Sequence, residues 1–183
     1  MVGVDEAGIY NVGYAIAGII GLMEGTFGYS YTPFLFEQLS KKCSKADNQV
    51  VKVSYFFVLA LAAAVLLLYL SSGLIFHYFI DERYRGAQIY ILWLAIGYFF
   101  SGCYKIMVGY IFYASKTIYL TYLSVINIVL NIALNFVLIG RLGAEGASLA
   151  TMISYFVMFL ITFFIANRIH PMPWFRSLKV NKK

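Results

Sequence analysis

The sequence predicts an all-α protein, a polytopic membrane bundle of about five transmembrane helices. Three observations carry that prediction. Hydrophobic residues make up 62% of the chain and charged residues 12%, against roughly 45–50% and about 25% in soluble domains. Residues 53–80, 117–140 and 146–167 contain no Asp, Glu, Lys or Arg, and each run can cross a hydrocarbon layer about 30 Å thick at about 1.5 Å per residue. Two further apolar stretches each carry one internal charge, Glu24 and Lys105. A soluble chain of this size could not hide so much apolar surface, so lipid is the solvent that the composition requires.

The spans follow in order within a transmembrane bundle over residues 1–170. Span one, residues 9–36, repeats small residues every fourth position at Gly13, Ala17, Gly21 and Gly25. Such a ridge lets a neighbouring helix approach closely, where dispersion does the work that hydrophobicity cannot do in lipid. Pro33 is expected to kink or end this helix, and the polar segment 37–49 to lie in part as helix at the membrane surface. Span two, residues 53–79, has His77 near its end. Span three, residues 87–113, places Gly97, Ser101, Lys105 and Gly109 on one face, with Trp93 as an interface anchor. A short Ala-Ser-Lys turn leads to span four, residues 117–140, and span five covers 146–167. Residues 171–183 form a basic tail, and His170-Pro171-Met172-Pro173-Trp174-Phe175 leads into it as an interfacial stretch held extended around its prolines.

Charge placement orients the bundle. Lys41, Lys42, Lys45, Lys52, Lys116, Arg168, Arg176, Lys179, Lys182 and Lys183 fall on one side, and Arg83, Arg85 and Arg141 on the other. By the positive-inside rule the C-terminus is cytoplasmic and the N-terminus outside. The net charge of +6 therefore reflects topology, not nucleic-acid binding, for which no soluble basic domain is present. Cys43 falls in a loop and Cys103 within a span, so no disulfide is expected. The opening Met-Val-Gly-Val-Asp-Glu lacks the basic start of a signal peptide. This acidic opening leads us to expect that Met1 is an internal position of a longer ancestor.

A family resemblance rests on an ordered set of residues. Asn131 and Asn135 precede an aliphatic exit, a turn Gly140-Arg141-Leu142-Gly143, and a helix start Gly146-Ala147-Ser148-Leu149-Ala150-Thr151. The opening Gly8-Ile9-Tyr10 and the later Pro33 stand in matching order. Over about residues 3–164 the chain resembles the C-terminal part of a polysaccharide-biosynthesis flippase of the multidrug/oligosaccharidyl-lipid/polysaccharide exporter superfamily. The resemblance implies half of a two-bundle transporter in the bacterial cytoplasmic membrane. It also implies a lipid-linked glycan of the undecaprenyl-pyrophosphate type as cargo, and a missing N-terminal half or partner bundle.

Five residues are candidates for the cargo path. Glu24 lies about 22 Å of helix rise past Ile9, where an ionised carboxylate costs on the order of 2.5–3.5 kcal/mol. It reads as an ion-coupling site or cargo contact, or else as a protonated Glu bonded inside the bundle. Lys105 offers a cation that could offset cargo phosphates, or else a lysine snorkelling to the interface. Asn127, Asn131 and Asn135 share one helical face; such amides act as interhelical glue or meet sugar hydroxyls. The 16 Tyr and 16 Phe could stack on sugars, although membrane belts and lipid packing account for most of them. Paired-carboxylate, Cys/His metal and phosphate-cradling motifs are missing from the sequence, so no enzyme, cofactor or metal site is expected. Two rival functions remain: an accessory membrane scaffold, and a membrane enzyme of polysaccharide assembly.

Overall fold

The computed structural model describes residues 3–174. The greater part of the expected basic tail, with Arg176, Lys179, Lys182 and Lys183, lies outside the described residues. Among the described residues, five helices are each long and apolar enough to cross a membrane. They are α1 (Val4–Ser40), α2 (Ser44–Tyr78), α3 (Gln88–Tyr113), α4 (Ile118–Leu142) and α5 (Ala144–Ile169), with a 3-10 helix, Glu82–Ala87, leading into α3.

Several boundaries differ from expectation: α1 begins at Val4 and not at residue 9, α2 begins at Ser44 and not at residue 53, and two further differences have a local cause. Pro33 neither ends nor breaks α1, which runs on to Ser40. Its ring lies on the exposed side, and a proline costs a spanning helix only one backbone N–H bond when the flanking turns continue. The expected turn over residues 141–145 shrinks to Gly143 alone, with φ 60° and ψ −140°. Only glycine reaches that conformation without strain. Just beyond it, a Cβ at Gly146 would strike the Leu138 backbone carbonyl, so α4 and α5 close together because this position has no side chain.

The turn also brings distant segments to one end of the bundle. Glu6 Oε1 accepts a hydrogen bond from the Ala144 backbone N–H at 3.3 Å, and Trp93 Nε1 donates to Glu145 at 3.2 Å. A carboxylate is favoured there, because the first N–H groups of α5 are unpaired and carry the positive end of its dipole.

Helix α3 is the centre. It packs most extensively on α5 and α1, and less on α2. Helix α4 rests on α5, and Leu123 is its one buried residue among those described. Val125, Val129, Ile132 and Phe136 stay exposed on α4, as suits a helix whose outer face meets acyl chains. No backbone approach links α2 to α5 among the described residues, so α3 is uncovered between them.

One end of that gap is filled from the C-terminal side. Trp174 is buried, with its ring centroid 6.3 Å from Tyr55, 5.9 Å from Tyr110 and 6.1 Å from Phe163. The Tyr55 hydroxyl donates to the Trp174 carbonyl at 2.8 Å. The segment expected to lie along the interface instead tucks inward, because burying an indole against three aromatic rings outweighs leaving it at the surface.

Candidate functional site

The two small-residue ridges seen in the sequence determine where the ionisable groups go. On α1, a Cβ at Gly13 would stand 3.0 Å from the Ala87 carbonyl and one at Gly21 2.8 Å from the Tyr98 ring, while Ala17 is fully buried. On α3, Gly109 faces Leu35 of α1 in the same way, and Gly97 faces Met152 of α5. Close approach of α1 to α3 then aligns Glu24 with the face bearing Ser101 and Lys105.

The result is an ion pair at membrane depth. Lys105 Nζ lies 3.0 Å from Glu24 Oε1, and Ser101 Oγ donates to the same oxygen at 3.1 Å. Glu24 is only 4% exposed, whereas the Lys105 side chain is 42% exposed. The second carboxylate oxygen, Oε2, is buried and has no hydrogen-bond partner. The anion is therefore enclosed with one oxygen to spare, and the cation reaches outward. Beside it opens a cavity of about 290 Å³, lined by Gly25, Gly28, Thr32, Lys105, Gly109 and Phe112. Glycines on both walls leave that space.

Tyrosines continue the polar surface. Tyr14 of α1 lies 6.2 Å from Tyr98 of α3, ring to ring, and Tyr10 lies 5.7 Å from Tyr90. The hydroxyl of Tyr10 stands beside Thr151 of α5. Tyr98 and Tyr155 are electrostatic neighbours of each other and of Glu24. Sequence alone missed this grouping. The fourfold spacing of Tyr10 and Tyr14, and of Tyr90 and Tyr98 at twice that interval, was a usable signal.

The amides of α4 lie elsewhere. Asn131 Nδ2 donates to Ser154 Oγ of α5 at 3.2 Å, and Asn135 Nδ2 donates to the Asn131 carbonyl at 2.8 Å and to its Oδ1 at 2.9 Å. Asn127 shares that face, its Oδ1 buried without a hydrogen-bond partner. Because α4 packs on α5 and not on α1, none of the three joins Glu24 and Lys105. Among the described residues no cluster of three or more His, Cys, Asp or Glu side chains could hold a metal ion.

A second groove runs on the opposite side of α3, between α2 and α5. It holds about 280 Å³ lined by Ser54, Val58, Cys103, Met107, Phe159 and Trp174, and continues past Phe99 into about 350 Å³ lined with Val65, Leu66, Leu92 and Ile96. Its walls carry no charged side chain.

Comparison with protein-family models, curated proteins and solved structures gives no match for the chain.

Proposed function

We propose that this chain is one helix bundle of a transporter that moves lipid-linked oligosaccharide or polysaccharide precursor across the bacterial cytoplasmic membrane. The Glu24–Lys105 pair carries the reading. Ionisable side chains deep in a membrane are costly, and they persist where they face a substrate path, a partner or water. Here the carboxylate is enclosed while the ammonium extends into a cavity between α1 and α3, where it can offset the phosphates of a polyprenyl-linked cargo. Glu24 holds the ammonium in place, and exchange of that pairing for cargo or for a coupling ion gives the site two states. In alternating access two bundles rock about a shared polar site; this chain supplies one wall, and a second bundle supplies the other. The positive-inside pattern sets its C-terminus in the cytoplasm.

The decisive experiment replaces both charges together, Glu24→Gln with Lys105→Met, in cells that depend on this protein for glycan export. Export should fall at least tenfold, with lipid-linked precursor accumulating in the cytoplasmic leaflet and the protein present at normal level. Unchanged export would overturn the reading and favour a scaffold in which the pair only joins two helices.

A further inference from the structure

We infer that the tyrosines leading to Glu24 form a contact track for the sugar part of the cargo, distinct from the Lys105 phosphate site; the inference rests on the transport reading above. From Tyr10 to Glu24 along α1 is about 21 Å of helix rise. Over that distance Tyr10, Tyr14, Tyr98 and Tyr155 line the meeting of α1, α3 and α5. Tyr14 is 48% exposed, and Tyr10, Tyr98 and Tyr155 are each partly exposed. None of these four rings is sealed in the core.

Two properties of this surface select a polyhydroxylated ligand. A phenol ring offers an apolar face for the C–H side of a sugar and a hydroxyl that both donates and accepts. Lipid provides no partners for these hydroxyls; Tyr98 pairs with Tyr14 and Tyr10 with Thr151, and each hydroxyl keeps donor or acceptor capacity for a ligand. The α2/α5 groove across α3 is lined mainly by Val, Leu, Ile, Met and Phe, with Tyr55 and Tyr69 apart from one another, whereas Tyr10, Tyr14 and Tyr98 stand ring to ring in succession with Tyr90. The track ends at Glu24, which is buried and whose Oε2 has no hydrogen-bond partner. Sealed while Glu24 pairs with Lys105, that oxygen becomes an acceptor for a sugar hydroxyl when the pairing is exchanged for cargo.

The test uses the full chain in lipid nanodiscs and two probes: an isoprenyl pyrophosphate without sugar, and the same lipid carrying N-acetylglucosamine. The wild type should bind the glycosylated lipid about tenfold more tightly, the equivalent of one or two net hydrogen bonds. Replacing three hydroxyls together, Tyr14→Phe, Tyr98→Phe and Tyr155→Phe, should abolish that preference and leave affinity for the bare lipid unchanged. The unchanged affinity reports that the fold is intact. Tyr14→Phe alone, at the most exposed of these positions, should remove part of the preference. A triple variant that keeps the full preference overturns the track, as does a wild type that binds both lipids equally. Binding of neither lipid overturns the transport reading itself, and the track falls with it.

Discussion

The two sides of α3 solve the membrane problem differently. Where α2 and α5 leave it uncovered, α3 presents Phe99, Cys103 and Met107 to a groove without a charged side chain. Where α1 meets it, α3 presents Tyr98, Ser101 and Lys105, and α1 answers with Glu24. The first side is what lipid favours, because apolar side chains are at home in either protein or acyl chains. The second is costly, and the ion pair does not recover that cost as stability: desolvating two charges takes about as much as their attraction returns. Two helices that could have been apolar all round instead bring a buried carboxylate on α1 and a half-exposed ammonium on α3 to one side, which is the pattern expected of the proposed cargo site. The difference between the two sides is what the proposed function would require, and moving charges between them tests it.

The largest effect should come from putting a cation on the wrong side. Cys103 is 5% exposed and lines the apolar groove two positions from Lys105. Cys103→Lys places an ammonium in a groove whose walls hold no carboxylate, at a cost of roughly 3–5 kcal/mol. We expect most of the protein to be lost from the folded, monodisperse fraction on extraction into mild detergent. If the variant is as stable as the wild type, the α2/α5 groove admits water and the contrast between the two sides collapses.

How far this arrangement was legible beforehand depends on periodicity. Five spans could be read because uninterrupted apolar length is a property of consecutive residues. The Glu24–Lys105 pair was foreseeable as a possibility, because both charges sat on small-residue ridges that invite close packing; that α1 and α3 are neighbours was not. Neighbour choice among spanning helices depends on side-chain fit, and each helix here is apolar on several faces. For the same reason Asn127, Asn131 and Asn135 looked like cargo-path candidates, and the position of α4 behind α5 sets them apart from the pair. The inward turn of Trp174 was hidden as well, since tryptophan suits an interface and a core equally. Glu6 gave no signal in the sequence for its bond to α5, because that contact joins residues 138 positions apart.

An intermediate effect should follow from breaking the pair unevenly. Lys105→Met leaves the Glu24 carboxylate 4% exposed with Ser101 as its remaining partner. We expect a loss of about 2 kcal/mol, below the usual penalty for orphaning a buried charge because Lys105 is itself partly exposed. Adding Glu24→Gln should restore stability to within about 0.5 kcal/mol of the wild type, as replacing both partners of a pair commonly does. A double-mutant cycle in reversible detergent denaturation separates these terms. A double variant less stable than Lys105→Met alone would mean that the pair holds α1 to α3, and the functional contrast would lose its energetic basis.

The smallest effect should come from α4, which borders neither groove. Asn131 reaches across to Ser154 of α5 through one amide hydrogen bond, and bonds of this kind between membrane helices are worth about 0.6 kcal/mol on average. Asn131→Leu removes it and also takes the acceptor Oδ1 from Asn135, whose Nδ2 keeps its bond to the residue 131 carbonyl. Stability should drop by no more than about 1 kcal/mol, and glycan export should be unchanged. Export lost at normal protein level would place the cargo against α4, and the polar side of α3 would then be one part of a path that continues behind α5.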